Sequence, residues 1–132
     1  MLNANTGAIG AVAESIAATE FVKAGGQVYT PFVTAGLGPV DLVAGFGNKL
    51  FKVQVKCVTS DEETFTLDLG NKYQDDSFHL LCIVLLNKSH PTVIPRLFLM
   101  QWPIDNKRSI NFNKERQAEY EFYRQINFIA ND

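Results

Sequence analysis

Two apolar runs, Val40–Gly45 and Leu50–Val58, flank a polar step at Gly47–Lys49 in the middle of the chain. Gly and Asn accept the positive φ of a tight turn, so the pattern predicts an antiparallel hairpin. Alternation along the second run sends Lys52, Gln54 and Lys56 to one face and Val53, Val55 and Cys57 to the other. Upstream, Thr6–Ala24 carries a stripe at helical spacing (Ile9, Val12, Ala13, Ile16, Ala17, Glu20), rich in small residues that allow close packing on a sheet. Asn5 or Thr6 serves as its N-cap and Gly25-Gly26 as its stop. Glu14 borders the apolar stripe, and Glu20 is read as solvated. Gln27–Val33 predicts a short strand with Pro31 at its end or on an edge, and Thr34–Gly38 a loop into the hairpin.

Downstream, Thr59–Glu63 is a polar break, Thr64–Leu69 alternates as a strand, and Gly70–Ser77 is a polar connection. Phe78–Leu86 is continuously apolar, the pattern of a strand buried on both faces. A turn at His90-Pro91 leads to a strand over Val93–Met100. A charged loop, Asp105–Ser109, precedes a final helix, Lys114–Ile126, capped by Asn113 with Ala118, Phe122 and Ile126 on one side. The fold class expected is α/β: one domain with a mixed sheet flanked by helices.

At 132 residues, 46% of them hydrophobic, the chain can bury a substantial core. The formal charge of −2 supplies no general field for nucleic acid, so any DNA contact needs a local basic patch. Cys57 and Cys82 sit in apolar runs, without the clustered histidines of a zinc site. No run spans a bilayer and no signal peptide is apparent, so a soluble cytoplasmic domain without membrane partners is expected. His79 is read as hydrogen-bonded at a strand end and His90 as exposed. Neither has a nucleophile partner, and Gly7–Gly10 lacks the lysine of a phosphate loop.

The remaining chemistry lies on the hairpin. Asp41 opens its first strand, and Gln54 and Lys56 stand one step apart on the second. An ordinary surface strand also carries Lys-x-Gln-x-Lys; an acid beside a lysine on a central hairpin is equally a candidate metal site with a cation at its rim.

The order of these pieces resembles the PD-(D/E)xK nuclease superfamily, the fold of many restriction enzymes and of archaeal-type Holliday junction resolvases. The matching stretches are Gly10-Ala-Val-Ala-Glu14, Val28-Tyr-Thr-Pro31, Asp41-Leu-Val43 and Val53-Gln-Val-Lys56, with looser similarity through Phe78–Leu86 and Ile94-Pro95-Arg96. The Gln-x-Lys form is similar to that of a group I intron homing endonuclease family. Three departures stand out: Val40 separates Pro39 from Asp41, Ala13 replaces a glycine before Glu14, and Gln54 replaces an acid.

The resemblance implies a restriction-endonuclease-like core and a Mg²⁺-dependent endonuclease acting on DNA, with Mn²⁺ as a substitute. It assigns Asp41, Gln54, the Val55 carbonyl and Glu14 to the metal, and Lys56 to the attacking water and the phosphate. Lys49, Lys52, Lys107, Arg108, Lys114 and Arg116 are the candidate phosphate contacts, against the alternative of ordinary solubilising charges. Nucleases of this fold that cut duplexes usually pair their sites, so a homodimer or higher oligomer is expected. The alternative function is a catalytically silent nuclease-fold domain that binds nucleic acid or a protein, because Gln54 removes one negative charge from the site.

Overall fold

The computed structural model describes residues 6–30, 40–69, 76–90, 92–104 and 109–131. Pro31, the loop at 34–38, Pro39, Pro91, Lys107 and Arg108 lie outside them. The elements run α1 (Thr6–Lys23), β1 (Gln27–Tyr29), β2 (Leu42–Phe46), β3 (Lys49–Ser60), β4 (Phe65–Asp68), β5 (Leu80–Asn87), β6 (Arg96–Gln101), β7 (Ser109–Phe112), α2 (Lys114–Glu119) and α3 (Phe122–Ala130). A five-stranded mixed sheet has the order β1-β2-β3-β5-β6, and β4 and β7 form a separate antiparallel ribbon.

The hairpin closes as the apolar pattern predicts, one residue tighter. Phe46 pairs with Lys49, so Gly47 and Asn48 alone make the turn, and Gly47 takes φ 63°. β2 pairs only with the first part of β3, Lys49–Val53, whereas β5 runs parallel to its second part, Val53–Ser60. The two ladders therefore overlap at Val53, and beyond it β2 parts from β3. β5 is central and buried on both faces, as its unbroken apolar run requires.

Alternation divides the core in two. On one face Val53, Val55, Leu80, Cys82, Val84 and Leu99 pack under α1 and α3. On the other, Leu81, Ile83, Phe98 and Met100 meet Phe65 and Leu67 of β4 and Ile110 and Phe112 of β7. The contact stripe of α1 is Ala13, Ala17 and Phe21, all buried. Val12, expected in it, is 51% exposed. The alanines let the helix approach, and Phe21 fills the space at its C-terminal end against Phe46 and Phe122. Burying that ring contributes roughly 1.5–3 kcal/mol. Gly25 (φ 96°) and Gly26 end α1 by donating to Val22 O and Phe21 O, both at 3.0 Å.

Several expectations are corrected. Glu20 is not solvated: its side chain is 20% exposed, pairs with Lys23 Nζ at 3.3 Å and accepts the Tyr123 hydroxyl. The strand expected over Val93–Met100 begins only at Arg96, because Pro95 lacks an N–H and Val93 and Ile94 stay in solvent. Ser109 opens β7, an element the pattern missed, instead of closing a loop. The final helix is two helices: Leu99 N–H donates to Tyr120 O and Phe98 bridges Glu121, which breaks the helix against β6. Asn113 caps α2 as expected, and Glu121 caps α3 through the Tyr123 and Arg124 N–H groups. Ala118 is exposed, and Gln117 takes the buried position instead.

Candidate active site

The site grows from the parting of β2 and β3. Asp41 precedes β2; its N–H donates to Val53 O at 2.8 Å, and its Oδ2 accepts the Val55 N–H at 2.8 Å. The carboxylate thus replaces the backbone partner that β2 no longer supplies, which holds it against the middle of β3. Glu14 reaches the same point from α1. Its carboxyl is held above the ordinary carboxylate range, first by burial, then by the charge of Asp41 and by their shared hydrogen bond. Both acids line a cleft of about 450 Å³ between α1 and the start of β2, with Ser15 and Thr30 beside them. Those two hydroxyls had no signal in the sequence beyond their closeness to Glu14 and to the end of β1.

Gln54 is 8% exposed. Its Nε2 donates to the Val55 carbonyl at 3.2 Å, while its Oε1 is buried with no hydrogen-bond partner among the described residues. A buried acceptor left unpaired is costly, so its persistence marks a place where a cation or donor belongs. Lys56 follows two residues on, half-buried on the same face by alternation, with Ile83 as its partner on β5. Among the described residues no three His, Cys, Asp or Glu side chains form a cluster. Among the described residues, the two carboxylates, the Gln54 amide oxygen and the Val55 carbonyl near the β2–β3 parting are hard oxygen donors of the kind Mg²⁺ takes. The residues present fit a divalent cation.

The basic residues are more scattered. Lys49 and Lys52 lie on β3 beside the turn, and the backbone of Lys52 is fixed by His79, whose Nδ1 accepts its N–H at 2.8 Å. That contact matches the expected strand-end role of His79, and His90 is exposed as expected. Lys114 and Arg116 belong to α2, against β7, and Lys114 pairs with Glu63 at 3.4 Å.

No helix among the described residues is long and apolar enough to cross a membrane. Neither a protein-family model nor a curated protein sequence matches the chain. Solved structures do, among them two nucleases. A bacterial homing endonuclease superposes with a TM-score of 0.67 at 19% identity, over 97% of this chain and 95% of that one. A Holliday junction resolvase from the hyperthermophile Archaeoglobus fulgidus superposes with a TM-score of 0.52 at 19% identity, over 89% of this chain and 95% of the other. At that identity the likeness is one of fold, and the fold of this chain is the restriction-endonuclease-like fold of nucleases.

Proposed function

We propose that the protein is a divalent-metal-dependent DNA endonuclease of the Gln-x-Lys type, hydrolysing phosphodiester bonds as a homing enzyme, a resolvase or a restriction-like enzyme. The observation that carries this reading is the buried, unpaired Oε1 of Gln54 beside the Val55 carbonyl, with Asp41 bonded to the same residue of β3. Asp41, Gln54 Oε1 and Val55 O would hold Mg²⁺ or Mn²⁺, with Glu14 joining directly or through water. Bound there, the cation would polarise a phosphoryl oxygen and acidify water. Lys56 orients the attacking water and stabilises charge gathering on the phosphate. Lys49 and Lys52, followed by Lys107, Arg108, Lys114 and Arg116, neutralise backbone phosphates at the margins. Cutting both strands of a duplex needs two such sites, so the working form is a homodimer or higher oligomer in the cytoplasm.

Incubation with linear, nicked and four-way-junction DNA, with and without Mg²⁺, tests the reading. Cleavage that stops on chelation supports it. DNA retained in a gel-shift experiment but cut under no condition would favour the second reading, a silent DNA-binding domain. That reading draws on the two carboxylates, and no third, found near the β2–β3 parting among the described residues.

A further inference from the structure

At the turn end of β3, away from the acids, lies an open groove of about 440 Å³ lined by Lys49, Phe51, His79, Leu80, Gln101 and Trp102. Its volume falls in the range of small-ligand sites. Its walls are held in place. Phe51 meets His79 edge-on with ring centroids 6.4 Å apart, and Trp102 packs on Phe78 at 4.8 Å. His79 is fixed three times: its N–H donates to Lys52 O at 2.8 Å, its carbonyl accepts the Trp102 N–H at 2.9 Å, and its Nδ1 accepts the Lys52 N–H at 2.8 Å. A ring nitrogen that accepts carries no proton, so the neutral imidazole bears its proton on Nε2, a donor on an exposed residue. The groove therefore offers aromatic walls, one fixed N–H, the Gln101 amide and the Lys49 ammonium. No carboxylate lines it among the described residues.

We propose that this groove binds an unpaired nucleotide. Phe51 and Trp102 offer rings to a base, His79 Nε2–H and Gln101 meet the base edge, and Lys49 takes the phosphate. Among the described residues the lining holds one cation and no acid, which suits an anionic ligand, and flat aromatic walls suit a π-face that an acidic peptide lacks. Phe51 precedes Gln54 by three residues, about 10 Å along a strand, on the order of three base steps. β3 carries both, with Phe51 on its Val53–Val55 face and Gln54 on the other by alternation. The strand as source rests on the DNA reading above; base binding itself rests on the groove alone. A free mononucleotide shares the chemistry, and the test separates the two sources.

Trp102 is the chain's one tryptophan, so its fluorescence reports on the groove directly. Wild type is titrated in chelator, without divalent cation, with deoxyadenosine monophosphate, a short single-stranded oligodeoxynucleotide and a blunt duplex. The oligonucleotide should quench emission at lower concentration than either alternative. Lys49→Ala should weaken it roughly tenfold at about 0.1 M salt, the loss of one phosphate contact. Phe51→Leu, which keeps apolar bulk, should also weaken it. Equal quenching by the mononucleotide overturns the strand as source. Quenching by none of the three, or an unchanged Lys49→Ala titration, overturns the site. Neither result bears on metal-dependent cleavage of DNA, which is read separately.

Discussion

The Val55 carbonyl sets the orientation of the Gln54 amide. With Nε2 facing Val55 O, donor meets acceptor; an oxygen in that place would set two acceptors against each other. Gln54→Glu makes that exchange with little change in size. Without metal it should destabilise the fold by about 1–3 kcal/mol, the cost of facing buried acceptors. With metal it should bind about 1–2 kcal/mol more tightly, since a carboxylate outbids a neutral amide for a cation. Urea unfolding with and without Mg²⁺, alongside calorimetric titration, measures both effects, and no metal-dependent difference between the proteins would contradict the assignment. Glu14 supplies a pH signature. Its pKa is raised in the folded state, so the native protein holds the proton more tightly than the unfolded chain. Metal-free stability should therefore fall as pH rises through the window between the unfolded value and the raised native one, and remain lower above it. Cation affinity runs the other way, weakening as pH falls through the native value. Glu14→Gln should flatten the stability profile and stabilise the metal-free protein near neutrality while loosening cation binding, which urea midpoints against pH and titration calorimetry would show.

The hairpin was the most readable part of the chain, because period-two alternation and a Gly-Asn turn are local signals. So was β5, whose apolar run needs no context to declare burial. Asp41, Gln54 and Lys56 could be singled out from their places on the hairpin, and Glu14 only through the resemblance to the nuclease superfamily. What spacing could not reveal was the parting of β2 from β3 after Leu42–Val53, which lets Asp41 accept the Val55 N–H. Two of the misread elements depend on partners distant in sequence. β7 is four residues stabilised by β4, more than forty positions earlier, and the α2–α3 break is imposed by β6. Gln117 belongs with them. It reads as a helix-surface residue, yet its Nε2 donates to Glu63 O at 2.7 Å and Phe112 O at 2.8 Å, and its Oε1 accepts from Arg96 at 2.6 Å. Gln117→Leu would fit the space and strand those partners, so a loss of about 1–3 kcal/mol in urea unfolding is expected. A neutral result would mean that water replaces the amide there.

The two hydrophobic cores give the molecule its working geometry. One clamps α1, and with it Glu14, to the sheet; the other ties β5 and β6 to the β4–β7 ribbon. β3 contributes to both and carries Gln54, Val55 and Lys56. The net charge of −2 means that DNA binding must come from local lysines, so affinity should be modest and strongly salt-dependent. The central claim is that Asp41 holds a cation while Lys56 acts on water and phosphate. Single-turnover cleavage of a labelled DNA by wild type, Asp41→Ala and Lys56→Ala, with Mg²⁺ binding measured on the same preparations, tests it most directly. Asp41→Ala should lose both cleavage and cation binding, and Lys56→Ala should lose cleavage while binding Mg²⁺ as wild type does. Cleavage at the wild-type rate by both variants would rule these roles out.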